Sequence, residues 1–231
     1  MKFRNIENFE DWNERMAKKY KPDEYHRSPN LIIKFIEDKR VKKVIDFLDS
    51  EDSNTIIELG CGAGNIMEKV KFAKEIWGVD LSIFLLDLAQ KKKYQRPVKF
   101  IKANIENLPD EITKLKFDKI YCSEVLEHVK NPNKVLGEIE KITKSNSIIV
   151  ISIPNDKLIY KIKNILQKLR LFNLIFSNIV AGPENEWHIH SFNIAKLKGI
   201  TENSFIIERI KRIPFNFLPL HYIVKLRLKI K

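Results

Sequence analysis

The sequence predicts an α/β protein: a doubly wound, mostly parallel sheet, with helices ahead of it and a helical insertion late in the chain. Two observations predict it. From Asn54 onward, short apolar runs (TIIEL, IWGV, VKFIKA, KFDKIYC, SIIVISI) alternate with amphipathic ones (NIMEKVKFA, SIFLLDLAQKKK, and Asn131 to about Thr143), the rhythm of strand, crossover helix and parallel strand. The first run leads into GCGAGN, which holds three of the seven glycines, Gly60, Gly62 and Gly64. Glycines suit a sharp turn between strand and helix where a ligand must come closer than a Cβ would allow.

The elements follow in order. Residues 1–50 are helical: NFEDWNERMAKKY, a break at Lys21–Pro22, then SPNLIIKFIEDKRVKKVIDFLDS with Ser28 as N-cap and Pro29 at the first helical position. Residues 54–155 form the ligand-binding core. Residues 156–192 interrupt it with a basic amphipathic helix, in which Leu158, Ile162, Ile165, Leu166, Leu169, Phe172 and Phe176 recur at helical spacing opposite Lys157, Lys161 and Lys168. Residues 193–231 return to the sheet through a helix from about Ile194 to Glu202, a strand FIIERIKRI and a tail alternating apolar and basic residues. A chain of 231 residues is read as a single domain.

Composition narrows the setting. No run approaches the roughly 20 apolar residues needed to span a bilayer, and MKFRNIENFEDW lacks the layout of a secretory signal. Two cysteines, Cys61 and Cys122, make neither a disulfide framework nor a four-ligand zinc site, so a reducing cytoplasm is expected. The net charge of +12 comes from lysines spread along the chain. There is no RNA-binding module and no platform of interleaved aromatic and basic residues, which argues against a nucleic-acid partner.

Asp80 ends the second strand, twenty residues after Gly60, where a carboxylate accepts from a ribose diol. A nucleoside ligand is therefore expected. The spacing GxGxG departs from the dinucleotide fingerprint and argues against a pyrophosphate cofactor. These residues resemble the class I S-adenosylmethionine-dependent methyltransferases: ELGCGAGN is similar to their first motif, GVDLS to their second, KANIENLP to their third and FDKIYCSEVLEHV to their fourth. The resemblance implies a seven-stranded Rossmann-like sheet and S-adenosylmethionine as cofactor. Glu58, Gly60, Cys61, Gly62 and Gly64 would receive its methionyl part and Asp80 its ribose. Leu81, Asn104 and Ile105 would lie at the adenine, and Ser123 at the end of the fourth strand would close the cleft. Asn104 stands where the family usually has aspartate, and the family's glycine pair before the SIIVISI strand is missing.

Methyl transfer from a sulfonium needs alignment and exclusion of water, and needs a base when the acceptor is a hydroxyl. The stretch SEVLEHV offers Glu124, Glu127 and His128, and three readings compete for them. They are structural residues of the fourth motif, or His128 or Glu124 takes the acceptor's proton, or the group binds a divalent ion. Ubiquinone-type O-methyltransferases and small-RNA 2′-O-methyltransferases carry a similar E-x-x-E-H, and HIHSF offers His190 as a fourth ligand for Mg²⁺, Mn²⁺ or Zn²⁺. His188 and His190 would share one side of an extended segment, with Trp187 and Phe192 as anchors. Tyr20, Tyr25 and His26 resemble lid residues of the family. The expected activity is methylation of a small or lipid-like acceptor at oxygen, with an RNA 2′-O-methyltransferase or a non-catalytic cofactor-binding protein as alternatives. Residues 157–180 are a lid or a peripheral membrane contact.

Overall fold

The computed structural model describes residues 8–23, 28–175 and 186–229. Seven strands, β1 (Thr55–Leu59), β2 (Glu75–Asp80), β3 (Val98–Lys102), β4 (Phe117–Ser123), β5 (Thr143–Pro154), β6 (Phe205–Pro214) and β7 (Pro219–Leu228), form one sheet in the order β3-β2-β1-β4-β5-β7-β6. β1 to β5 are mutually parallel, whereas β7 runs antiparallel to both β5 and β6. The helices are α1 (Phe9–Tyr20), α2 (Leu31–Leu48), α3 (Ile83–Gln90), α4 (Asp110–Thr113), α5 (Pro132–Ile142), α6 (Asp156–Lys168), α7 (Phe172–Ile175) and α8 (Ile194–Thr201).

The central strands are apolar on both faces because both faces are covered. On one side Ile57, Leu59, Ile120, Cys122, Ile151 and Ile153 pack with Val135 and Ile139 of α5 and Leu197 of α8. On the other, Ile56, Tyr121, Val150 and Ile223 pack with Val44, Phe47 and Leu48 of α2. Truncating one of these side chains to alanine costs about 2–5 kcal/mol. Every parallel strand therefore ends toward the same rim, where ligands bind in such sheets.

Several local expectations are corrected. α2 starts at Leu31, capped by Asn30, whose side-chain oxygen accepts from the Ile32 and Ile33 amides, while Ser28 only receives the Asn30 amide. One Asn satisfies two orphan amides, so it displaces Ser28 as the cap. After the glycine loop there is one 3₁₀ turn, Met67–Lys69, in place of a helix. The chain buries Ile66, Met67, Val70 and Ala73 as it returns, and the Lys74 amide reaches the Asn54 carbonyl beside the start of β1. The single helix expected over 157–180 ends at Lys168. Arg170 takes a left-handed φ of 56° before α7 begins, and residues 176–180 lie outside the described residues. At the missing glycine pair Ser147 closes the turn. Its Oγ accepts from the Lys144 amide and donates to the Phe117 carbonyl, so a side chain does what a tighter backbone would otherwise do.

Candidate active site

The glycine loop is folded back on β2: the Gly60 and Cys61 amides both donate to the Val79 carbonyl, at 2.7 and 3.0 Å. All three glycines take left-handed φ values, 75°, 51° and 71°, which only glycine adopts cheaply. Their surroundings differ. A Cβ on Gly60 would lie 2.5 Å from a Val125 methyl, so Gly60 is where the loop packs on the Glu124–Val125 segment. A Cβ on Gly64 would collide with Tyr94, whereas one on Gly62 would meet only Leu85, at 3.9 Å. Gly62 is the glycine that faces open space. Beside it the Asp80 carboxylate accepts from the Gly62 and Ser82 amides, each at 2.8 Å. Those contacts orient the carboxylate at the end of β2 and leave lone pairs for a diol.

Glu58 is buried at 2% exposure and accepts from the Tyr121 hydroxyl at 2.8 Å. Burial pushes its carboxyl up to about 8, and burial likewise pushes up the Cys61 and Cys122 thiols. These cysteines are packing residues, not nucleophiles. Leu81 is half-buried and Ile105 buried. The Asn104 side-chain oxygen accepts from the Glu106 amide, so it caps a turn and has one lone pair left for an amine. Glu106, which the motif reading passed over, accepts from the Lys130 and Asn131 amides and ties the loop after β3 to the loop after β4. An open glycine cradle, a carboxylate at the end of β2 and an apolar shelf beyond it fit a nucleoside with a short amino-acid arm.

The acidic and histidine residues after β4 fall into two groups. Glu124 sits at φ 56°. Its oxygens accept from Ser152 Oγ at 2.8 Å and from His221 Nδ1 at 2.9 Å. His221 and the Arg40 guanidinium hold the Glu124 carboxyl down at about 2 although it is half-buried. Ser123 Oγ lies 2.8 Å from Ser152 Oγ and receives Arg40, which also grips both oxygens of Glu37.

The second group is Glu127, His128 and His188, whose ligand atoms lie within 4.8 Å of one another. The His128 Nδ1 faces the Trp187 carbonyl at 3.2 Å and the His188 Nδ1 faces Asp156 at 3.0 Å. Both contacts leave Nε2 as the lone-pair nitrogen. Glu127 is 1% exposed and its Oε2 has no hydrogen-bond partner among the described residues. Two imidazoles with outer-shell acceptors and one orphaned carboxylate oxygen fit a Zn²⁺ or Mn²⁺ ion better than Mg²⁺. The expected ligand set is corrected at two positions. Glu124 is engaged elsewhere, and the His190 Nε2 lies 3.0 Å from the Lys130 carbonyl. The Ile189 and His190 amides both bond to the Glu127 carbonyl, which bends the segment. The two histidines therefore do not share one side, and His188 occupies the place expected of His190.

α1 lies across this end of the sheet. Its Glu14 accepts from Ser82 Oγ at 2.6 Å and from the Phe84 amide at the start of α3. Its Asn13 accepts from the Trp187 indole, and Tyr20 stacks on Trp187 and bonds to Glu186. The Trp187 ring in turn lies 4.7 Å from the His128 ring. Of the expected lid residues, Tyr20 is in this contact; Tyr25 and His26 lie outside the described residues.

Residues 50–193 match a family model described as a methyltransferase domain. That span is more than half of the chain. The chain belongs to the class I S-adenosylmethionine-dependent methyltransferase family. Among curated relatives, the mitochondrial ubiquinone biosynthesis O-methyltransferase of Candida albicans is 31% identical over 53% of this chain and 38% of its own length. That of Dictyostelium discoideum is 26% identical over 79% of this chain and 65% of its own. The chain thus spans less than two thirds of the length of these relatives. Among solved structures, the magnesium protoporphyrin IX methyltransferase of Synechocystis PCC 6803 with bound SAH superposes with a TM-score of 0.68 at 16% identity, covering 96% of this chain and all of that one. The DhpI-SAH complex gives 0.66 at 12% identity, covering 98% of each. At these identities the family's fold is what is shared.

Proposed function

We propose that this chain transfers the methyl group of S-adenosylmethionine to an oxygen of a small, lipid-like acceptor. The observation that carries this reading is the cradle: of three left-handed glycines, only Gly62 opens outward, and the Asp80 carboxylate is oriented beside it. The printed names of the curated relatives support oxygen as the methylated atom and a ubiquinone precursor as the model acceptor. When bound, the cofactor supplies a methyl group on a positively charged sulfur. The chain's own residues do the rest. Asp80 holds the ribose hydroxyls, and Glu58 fixes the first strand beneath the arm through Tyr121. α1, docked through Glu14 and Trp187, excludes water. Calorimetry with S-adenosylhomocysteine tests the cradle, and labelled methyl transfer to hydroxylated aromatic and lipid acceptors tests the reaction. Binding without transfer to any acceptor would leave a sensor in its place.

A divalent ion at Glu127, His128 and His188 is a second reading, favoured by the unpartnered buried oxygen of Glu127. Such an ion would polarise an acceptor hydroxyl. Metal analysis of the purified chain and of its His188→Ala variant separates this from a purely structural cluster: stoichiometric Zn²⁺ or Mn²⁺ that the variant loses supports it, and none in either sinks it.

No described helix is long and apolar enough to cross a membrane. We place the protein in a reducing compartment, the cytoplasm, with α6 and α7 as its peripheral contact with lipid. Ile165, Leu169, Leu171 and Leu174 are exposed there. They adjoin an open groove of about 600 Å³ lined by residues including Lys157, Lys161 and Lys168, an arrangement suited to an anionic interface.

A further inference from the structure

We infer that His221, held by Glu124, is the general base that takes the proton from the acceptor hydroxyl. The inference rests on the methyl-transfer reading above and adds to it a residue.

His221 lies on β7, 97 positions away from Glu124, and outside every motif of the family. It reaches the site because β7 runs antiparallel to β5, which pairs His221 with Pro154 at the end of β5. It is held by the segment against which the cofactor cradle packs. Gly60 of the loop packs against Val125, the residue after Glu124, and Glu124 itself grips the imidazole. Because Glu124 is a carboxylate, the bond between them fixes the tautomer. Nδ1 carries the proton and donates, and Nε2 keeps its lone pair. Ser152 occupies the other oxygen of Glu124, so both carboxylate oxygens are engaged in holding the pair. The His221 side chain is 15% exposed, enough for one atom to meet a ligand. This is the orienting-carboxylate and imidazole pair that recurs wherever a hydroxyl must be activated.

The charged groups around His221 are Glu124 after β4 and Glu37 and Arg40 on α2. Burial disfavours the imidazolium and Arg40 opposes it too, but Glu124 and Glu37 favour it, and the balance raises the affinity of His221 for a proton. An imidazole oriented in this way accepts a proton from a phenol and, as in a carboxylate–imidazole–serine triad, from an aliphatic hydroxyl as well. The surface nearby matches such an acceptor with an apolar substituent. Phe215 and Phe217 stack in the turn between β6 and β7 and adjoin Phe35 of α2, with Leu31 also exposed on that helix.

The step balances as follows. The acceptor oxygen forms its bond to the methyl carbon while the carbon–sulfur bond breaks, its electron pair going to sulfur. The acceptor's proton passes to His221 Nε2, and the imidazolium later returns it to water. The products are a methyl ether, a neutral thioether and a proton.

The test uses the full chain with labelled S-adenosylmethionine and a set of 4-alkylphenols, 4-alkylcatechols and matched aliphatic alcohols, comparing wild type with His221→Gln, His221→Gly and Glu124→Gln. Fold and cradle are checked by S-adenosylhomocysteine binding. We expect transfer to at least one hydroxyl compound of the set and kcat/KM falling with protonation of a single group toward acid pH. His221→Gln should lose about 10²–10⁴-fold in kcat together with that acid limb, and added imidazole should restore part of the rate in His221→Gly. Glu124→Gln should move the limb to lower pH, and the His221 imidazole titration followed by NMR should move the same way. A wild type that methylates an acceptor while His221→Gln, still binding S-adenosylhomocysteine, keeps the rate and the acid limb overturns the base and leaves the methyl-transfer reading intact. A wild type that binds S-adenosylhomocysteine and methylates no hydroxyl of the set overturns the proposal. Failure of S-adenosylhomocysteine to bind wild type overturns the reading beneath.

Discussion

Gly60 and Gly62 have the same backbone requirement and different neighbours, and substitution separates them. Alanine at either pays about 1–2 kcal/mol for a left-handed conformation. Gly60→Ala must also displace Val125, whose methyls would lie 2.5 and 2.7 Å from the new Cβ, so it lowers the melting temperature well beyond Gly62→Ala. Gly62→Ala instead fills the cradle, and the expected result is a folded chain that binds S-adenosylhomocysteine at least tenfold more weakly by calorimetry. Asp118 makes a pH prediction. The Lys144 ammonium and the Thr55 amide and hydroxyl, which all bond to it, hold its carboxyl below the usual value of 3.8 despite some burial. A depressed carboxyl contributes stability above its unfolded pKa and loses it as pH falls through the folded one. Asp118→Asn should therefore cost about 1 kcal/mol in urea unfolding at pH 7, a value already reduced for solvent screening. The difference from wild type should shrink as the pH approaches 3.

α1 links the two halves of the site. Glu14 caps the start of α3 beside Asp80, while Asn13 and Tyr20 hold Trp187, which lies against His128. Glu14→Ala should weaken S-adenosylhomocysteine binding several-fold in calorimetry and speed its release in stopped-flow, with little change in melting temperature. Unchanged release would mean that α1 covers no ligand. How much of this was legible follows from what each contact depends on. The cradle and Asp80 were readable because a tight turn and a fixed crossover length impose local spacing, and Glu124, Glu127 and His128 stood in one such stretch. Arg40 and His221 were not, because their partners Ser123 and Glu124 lie 83 and 97 positions away and no spacing encodes a contact made by sheet order. The resemblance points to His190 as the fourth ligand and an extended segment would turn His188 the same way, whereas the two amides bound to the Glu127 carbonyl bend the segment and bring His188 in instead.

Across the whole molecule, the four most exposed large apolar side chains among the described residues lie at the start of α2, in the β6–β7 turn and beyond α6. Leu31 of α2 and Phe217 of the β6–β7 turn are 80% and 84% exposed, and Leu169 and Leu174 beside α6 are 61% and 79% exposed. Patches of this kind on a charged surface mark an interaction site. Changing Lys157, Lys161 and Lys168 together to glutamate should abolish sedimentation with vesicles containing anionic phospholipid and spare S-adenosylhomocysteine binding; equal sedimentation of both proteins would remove the lipid contact. The strand order carries a different kind of consequence. β7 follows β6 in the chain yet lies between it and β5, so as the polypeptide emerges from the ribosome β6 has no neighbour to zip onto until the next strand has slid into place. The nucleoside half, complete by β4, can condense early. The half that meets the acceptor is sealed by the last strand to arrive, and a nascent chain stalled near residue 214 would hold two bare edges, a template for aggregation.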